Sequence, residues 1–169
     1  MNALRQKYSI TVDRKAKKYI DISLKWYYIQ RTVTVSIPEY VKQAIHKVQH
    51  TLPTTPEYAP HAHVAPTYGQ QVQYEELVDT SDLLPPTETN LIQKVVGTFI
   101  YYGLAIYNTI LVALEDISLE QSTTTKNTSK KDAKLLNYLA KNLNASIQYH
   151  ESDTILYVHS DASYLSITK

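Results

Sequence analysis

Three groups of residues in this chain have side chains suited to chemistry: a carboxylate, a cluster of cations and a row of aromatics. Asp161 closes the run T-I-L-Y-V-H-S-D at 154–161. That run is rich in β-branched and aromatic residues, and Ser160-Asp161 marks a turn, so 154–160 reads as a strand. With a side-chain period of two, Ile155, Tyr157, His159 and Asp161 share one face. A carboxylate at a strand end can hold a hard divalent cation such as Mg²⁺ when further oxygen ligands join it. In a turn it more commonly accepts backbone N–H bonds, and a single Asp builds no metal site.

The cations are Arg14, Lys15, Lys17 and Lys18, in the turn D-R-K-A-K-K at 13–18. They suit phosphate oxygens, contacts that add affinity without reading sequence. Trp26, Tyr27 and Tyr28 sit at the far end of the adjoining strand, where flat rings can stack on bases. The plainer reading is a solvated turn beside an aromatic core. Lys130, Lys131 and Lys134 form a second basic cluster at the predicted start of a helix, where positive charge is mildly unfavourable. That placement suits a partner or duplex contact, but surface solubility is the plainer reading. His61 and His63 lack a matched set of further ligands and read as loop histidines.

These groups are positioned by a predictable series of elements. Residues 8–12 and 19–26 read as strands. In the second, Ile20, Ile22, Leu24 and Trp26 alternate with Tyr19, Asp21, Ser23 and Lys25. Residues 27–31 turn the chain and 32–36 return it, giving a small antiparallel sheet with one buried side. Ser36 and Glu39 have capping-box spacing for a helix through Val41, Ala44, Ile45 and Val48, ending near His50 or Leu52. Residues 53–90 hold six of the seven prolines and little periodicity, so they read as an irregular linker along a surface. A helix over 88–104 presents Leu91, Val95, Thr98, Phe99 and Tyr102, with Gly97 allowing close packing. A third helix over 109–119 is capped by Asn108, and a polar linker spans 121–128. A fourth helix over 130–141 has Ser129 and Asp132 at capping-box spacing. Residues 147–149 then pair with 154–160 as a hairpin through Glu151-Ser152-Asp153.

Composition removes several function classes. The 169 residues contain 17 basic and 16 acidic side chains, net +1, so no strong general field for nucleic acid exists. There is no cysteine, which excludes disulfides and thiolate metal sites. Three glycines leave no glycine-rich phosphate loop and require several turns to use Asn or Asp. Fifteen tyrosines suit stacking surfaces or half-buried sheets. Arg5 and Lys7 precede no apolar run, so no signal peptide is read. The expected setting is intracellular rather than secreted, and the sequons at Asn127 and Asn144 are discounted accordingly. The longest apolar run is far short of a membrane span.

The motifs in order resemble a known family. L-Y-V-H-S-D-A-S-Y-L at 156–165 resembles the first strand of the ribonuclease H domain in retrotransposon polyproteins. L-I-Q-K-V-V-G-T-F-I-Y-Y at 91–102 is similar to the L-I-Q-x-x-x-G-x-L-x-Y-Y helix of the connector that precedes that domain. S-L-K-W-Y-Y-I-Q-R-T-V-T-V-S-I-P-E-Y-V at 23–41 is similar to the end of the polymerase part, which usually reads L-K-W-x-Y. The resemblance covers roughly residues 5 to 165, and order and spacing carry it more than any one motif. It implies that Asp161 matches the first metal-binding carboxylate, for Mg²⁺, and that residues 14–28 lie near an RNA/DNA duplex. The junction Ala105-Ile106-Tyr107-Asn108 departs from the family's charged T-R-P-D turn.

The resemblance also implies incompleteness. The family's polymerase needs a Tyr-x-Asp-Asp hairpin, and no Asp-Asp pair occurs here. Ribonuclease H needs carboxylates downstream of its first, because two-metal hydrolysis takes several to hold both ions. The expectation is therefore an α+β fragment, catalytically inactive alone. It divides into a palm/thumb-like lobe over 1–52, a proline-rich linker over 53–87, a helical connection over 88–145 and a truncated ribonuclease H hairpin over 146–169. Two other classes fit the same sequence. One is a scaffold protein that self-associates through its terminal hairpin; the other is a weak nucleic-acid-binding module.

Overall fold

The structure is a computed structural model that describes residues 7–9, 13–62, 79–153, 155 and 158. It is an α+β fold. The elements in chain order are β1 (Lys18–Tyr19), β2 (Ile22–Tyr27), β3 (Thr32–Ser36), α1 (Tyr40–Lys47), α2 (Pro86–Ala105), a 3₁₀ turn (Asn108–Ile110), α3 (Leu111–Leu119), α4 (Lys126–Lys141) and β4 (Ser146–His150). Among the described residues the strands form one antiparallel sheet in the order β1-β2-β3-β4.

Register explains which side of the sheet is buried. Leu24 opposes Val35, which opposes Ile147; Trp26 opposes Val33, which opposes Tyr149. Directly opposed residues share a face, so these six line one side. Ser23, Ser36 and Ser146 form a row on the other side, and Lys25, Thr34 and Gln148 form the next. The apolar face meets the helices at one end, where Ile22 and Val35 pack on the core. That core gathers Val41 and Ile45 of α1, Phe99 and Tyr102 of α2, Leu114 of α3 and Leu139 of α4. The Tyr40 ring stacks on Tyr102 at 5.3 Å, and its hydroxyl donates to the Thr98 carbonyl at 2.7 Å.

Several local expectations are corrected. The strand over 19–26 is broken at Ile20-Asp21, which turn with φ of 44° and 63° and make β1 and β2 a hairpin. Positive φ at both central residues is the hairpin turn whose twist matches the strands. Among the described residues the non-glycine positions with positive φ are Ala16, Ile20, Asp21, Arg31, Glu39 and Gln49, and of these only Asp21 is of the expected Asn/Asp type. Ser36 caps nothing, because it is held in β3, while Glu39 starts α1 with φ 62° and no side-chain cap. Asn108 opens a 3₁₀ turn instead of capping α3. On α2 the buried stripe includes Ile92 and Val96, while Leu91 is exposed. Gly97 faces open space; the close approach is at Gly103, where a Cβ would lie 2.8 Å from Leu111 Cδ2.

Helix α4 begins four residues earlier than expected. Thr125 and Thr128 make the capping box, each hydroxyl accepting from the other's backbone N–H, at 3.3 and 3.0 Å. Ser129 and Asp132 therefore lie inside the helix, and Asp132 is buried. The described parts of the expected linker, 53–62 and 79–85, contain no helix or strand beyond an isolated bridge from Leu83 to Thr125. They are nevertheless tied down: Glu57 pairs with Lys134 at 2.8 Å, and Lys141 sits over the Tyr58 ring at 3.3 Å.

The expected strand over 8–12 and the terminal strand over 154–160 fall largely outside the described residues. Ile155 and Val158 are described, belong to no strand and are exposed. Ile147–Tyr149, expected to pair with 154–160, pairs with β3. Among the described residues no helix is long and apolar enough to cross a membrane.

Candidate nucleic-acid interface

The basic turn is shaped by a single carboxylate. Asp13 accepts the backbone N–H groups of Lys15 at 2.9 Å, Lys17 at 2.6 Å and Lys18 at 3.1 Å. These bonds, that from Lys17 foremost, hold the Asp13 carboxyl below its ordinary pKa. The loop is thus wrapped around an internal acceptor, an arrangement an Asp side chain favours because it reaches its own downstream amides. The Lys17 carbonyl takes the Leu24 N–H at 2.8 Å, and the Ala16 carbonyl takes the Trp26 indole N–H, also at 2.8 Å. The turn is therefore folded back along β2.

This brings together residues separated in sequence. Arg14, Lys15, Lys17, Lys25, Trp26 and Tyr28 surround a hollow of about 580 Å³. Among the described residues Arg14, Lys15 and Lys17 make no salt bridge. Lys18 differs: it pairs with Asp21 at 3.0 Å and stands outside the hollow. Trp26 in β2 and Tyr28 in the turn just after it stack at 6.2 Å between centroids with planes 11° apart. Tyr27 points to the opposite side with Lys25, whose ammonium lies 5.2 Å from the Tyr27 ring. Trp26 is 43% exposed and Tyr28 79%, so the rings are a surface feature and not an aromatic core.

The stacked pair also walls a second hollow, of about 340 Å³, closed on its far side by Val33 and Tyr149. It lies where the apolar face of the sheet extends past the helices. Arg31 and Glu151 pair at 2.5 Å at its rim. Val33, Tyr149 and Lys25 are not among the sequence-predicted site residues. The alternation I-Q-Y at 147–149 was the available signal for Tyr149, but it names no partner strand.

Other predicted groups lie elsewhere. Asp161 is outside the described residues, as is His63. His61 is half-buried beside α4, and its Nδ1 has no hydrogen-bond partner among the described residues. Of the second basic cluster, Lys131 pairs with Glu120 and Lys134 with Glu57, so two of its three ammoniums serve internal contacts. The cluster lies within α4, past its first turn, and not at the helix start. Among the described residues no group of three or more His, Cys, Asp or Glu could hold a metal ion. No family model, curated protein or solved structure matches this chain.

Proposed function

We propose that this chain is part of a retrotransposon-type reverse transcriptase–ribonuclease H polyprotein, running from the palm/thumb end through the helical connection to the first ribonuclease H strand. Its own part is to hold nucleic acid, and by itself it catalyses neither DNA synthesis nor RNA hydrolysis. One observation carries the binding role. Arg14, Lys15 and Lys17, which make no salt bridge among the described residues, and a stacked, exposed Trp–Tyr pair line the same hollow, in the segment that the resemblance places beside the duplex. Cations neutralise phosphates, and exposed aromatic faces bind bases.

On this reading residues 146–169 belong to the start of the ribonuclease H region. Asp161 is then the first of several carboxylates that bind Mg²⁺ in the parent enzyme. The ion supplies Lewis-acid stabilisation and an activated water there.

Two measurements test the proposal. Reading the coding sequence on both sides is expected to find the Asp-Asp hairpin upstream and further carboxylates downstream; their absence would remove the parentage. Fluorescence anisotropy with a labelled RNA–DNA hybrid, titrated across salt, tests the binding role. Binding is expected to be weak and salt-sensitive. Lys15→Ala, Lys17→Ala and Lys18→Ala together are expected to lower it and to flatten the slope of log K against log salt by at most about 3. Unchanged affinity in the triple variant would place the contact elsewhere.

A further inference from the structure

We infer that this surface takes an unpaired stretch of a nucleic-acid strand, with bases against Trp26 and Tyr28 and phosphates over Arg14, Lys15 and Lys17. The inference rests on the nucleic-acid reading above and narrows it from nucleic acid in general to single-stranded nucleic acid.

The argument is the placement of two unlike hollows on either side of one aromatic wall. Trp26 and Tyr28 line both. On one side stand Arg14, Lys15 and Lys17, each without a salt bridge among the described residues. On the other stand Val33 and Tyr149, continuing the apolar face of the sheet. A nucleotide strand has the same two-sided character: a charged backbone along one edge and flat apolar bases along the other.

A duplex does not present that pattern. Its internal bases are covered above and below by their neighbours, and only phosphates, sugars and base edges face outward. A surface for duplex alone would need cations and no exposed rings. Here Trp26 is 43%, Tyr28 79% and Tyr149 54% exposed, and a ring face is used only by a base that has left its stack. The charge points the same way. Net +1 for the whole chain, with three available cations at the site, makes a weak electrostatic platform. Stacking adds affinity that does not depend on charge.

The turn geometry fits this use. Asp13 and the Trp26 indole fix the backbone of residues 15–18, which leaves the Arg14, Lys15 and Lys17 side chains as the movable part. A Trp26 ring fixed on β2 by its indole hydrogen bond, with Tyr28 stacked on it, gives a held stacking face, while flexible cations follow a backbone of variable path.

Trp26 is the single tryptophan of the chain, so its fluorescence reports stacking directly. The experiment titrates the full chain with four probes at fixed low salt. These are a mixed-sequence single strand of about ten nucleotides, the same strand with abasic sites at every position, the blunt RNA–DNA hybrid of the same length, and that hybrid with a single-stranded overhang. Quenching of Trp26 with at least tenfold tighter binding is expected for the single strand and the overhang hybrid, relative to the abasic strand and the blunt hybrid. Tyr28→Ala, at an exposed ring with no hydrogen bond to lose among the described residues, is expected to weaken single-strand binding about fivefold or more and leave the salt slope unchanged. Arg14→Ala with Lys15→Ala and Lys17→Ala is expected to do the reverse, flattening the slope while quenching at saturation persists. Blunt hybrid bound as tightly as single strand, or abasic strand bound equally well, overturns the inference and leaves the nucleic-acid reading standing. No binding of any probe overturns both.

Discussion

The indole N–H of Trp26 donates to the carbonyl of Ala16, 2.8 Å away and ten residues earlier. Ala16 has φ 45°, a left-handed conformation that a residue with a Cβ adopts only at a cost. The same ring stacks on Tyr28. One side chain therefore joins the cationic turn to the aromatic surface, and the shape of the basic hollow depends on it.

Asp13 separates shape from charge in this turn. Asp13→Ala removes a negative charge beside the cations, so charge alone would raise nucleic-acid affinity. Loss of the three N–H bonds would unwrap the turn, and affinity is expected to fall severalfold, measured by anisotropy at constant salt. Backbone amides at Lys15, Lys17 and Lys18 should exchange faster with deuterium. The same loss follows from acid. Because the carboxyl is held below 3.8, its stabilisation is present above the unfolded-state pKa and disappears as pH falls through the still lower folded value.

Asp132 has the opposite sign. It is buried on α4, Oδ1 has no hydrogen-bond partner among the described residues, and burial raises its pKa from 3.8 to about 7. The folded chain therefore binds the proton more tightly than the unfolded chain. Its contribution is fully present below about pH 4 and lost progressively up to about pH 7. Asp132→Asn is expected to stabilise the fold at pH 8, by on the order of 3–4 kcal/mol as an upper value, and to change little at pH 4. Urea denaturation at the two pH values checks this; equal effects at both would contradict it.

The two helical glycines of α2 should respond differently to alanine. At Gly97 a Cβ meets nothing within 4 Å, so Gly97→Ala is expected to gain about 0.5–1 kcal/mol from helix propensity. At Gly103 it would lie 2.8 Å from Leu111 and 3.3 Å from the buried Ile110. Overpacking there is expected to cancel the propensity gain or exceed it by about 1–2 kcal/mol. Thermal denaturation should raise Tm for the first variant and lower or leave it for the second.

The β1–β2 turn offers a further gain. Ile20, 67% exposed at φ 44°, is a β-branched residue in the left-handed region. Its carbonyl accepts the Tyr101 hydroxyl at 3.0 Å, a bond that does not involve its side chain. Ile20→Asn is expected to stabilise the chain by about 1 kcal/mol. An unchanged or lower Tm would show that the Ile20 side chain makes a contact of its own.

The sequence by itself determined what local rules can reach. The helices expected through Val41–Val48 and over 88–104, 109–119 and 130–141 correspond to α1, α2, α3 and α4, because their apolar residues recur every three or four positions and prolines interrupt the pattern. The α+β class and the alternation of Ile22, Leu24 and Trp26 follow from the same period counting. The basic turn and the aromatic row were legible as residue types. Where the chain begins its helices was less so. The Thr125–Thr128 cap competes with the Ser129–Asp132 spacing four residues on, and burial of Asp132 decides between them. Only the tertiary structure placed Tyr149 beside Val33 and Trp26. That register joins strands more than a hundred residues apart in sequence, and no local period encodes which strands pair. It also decided that the Trp26 and Tyr28 rings stay exposed, since the helices cover one end of the sheet's apolar face and stop short of the other.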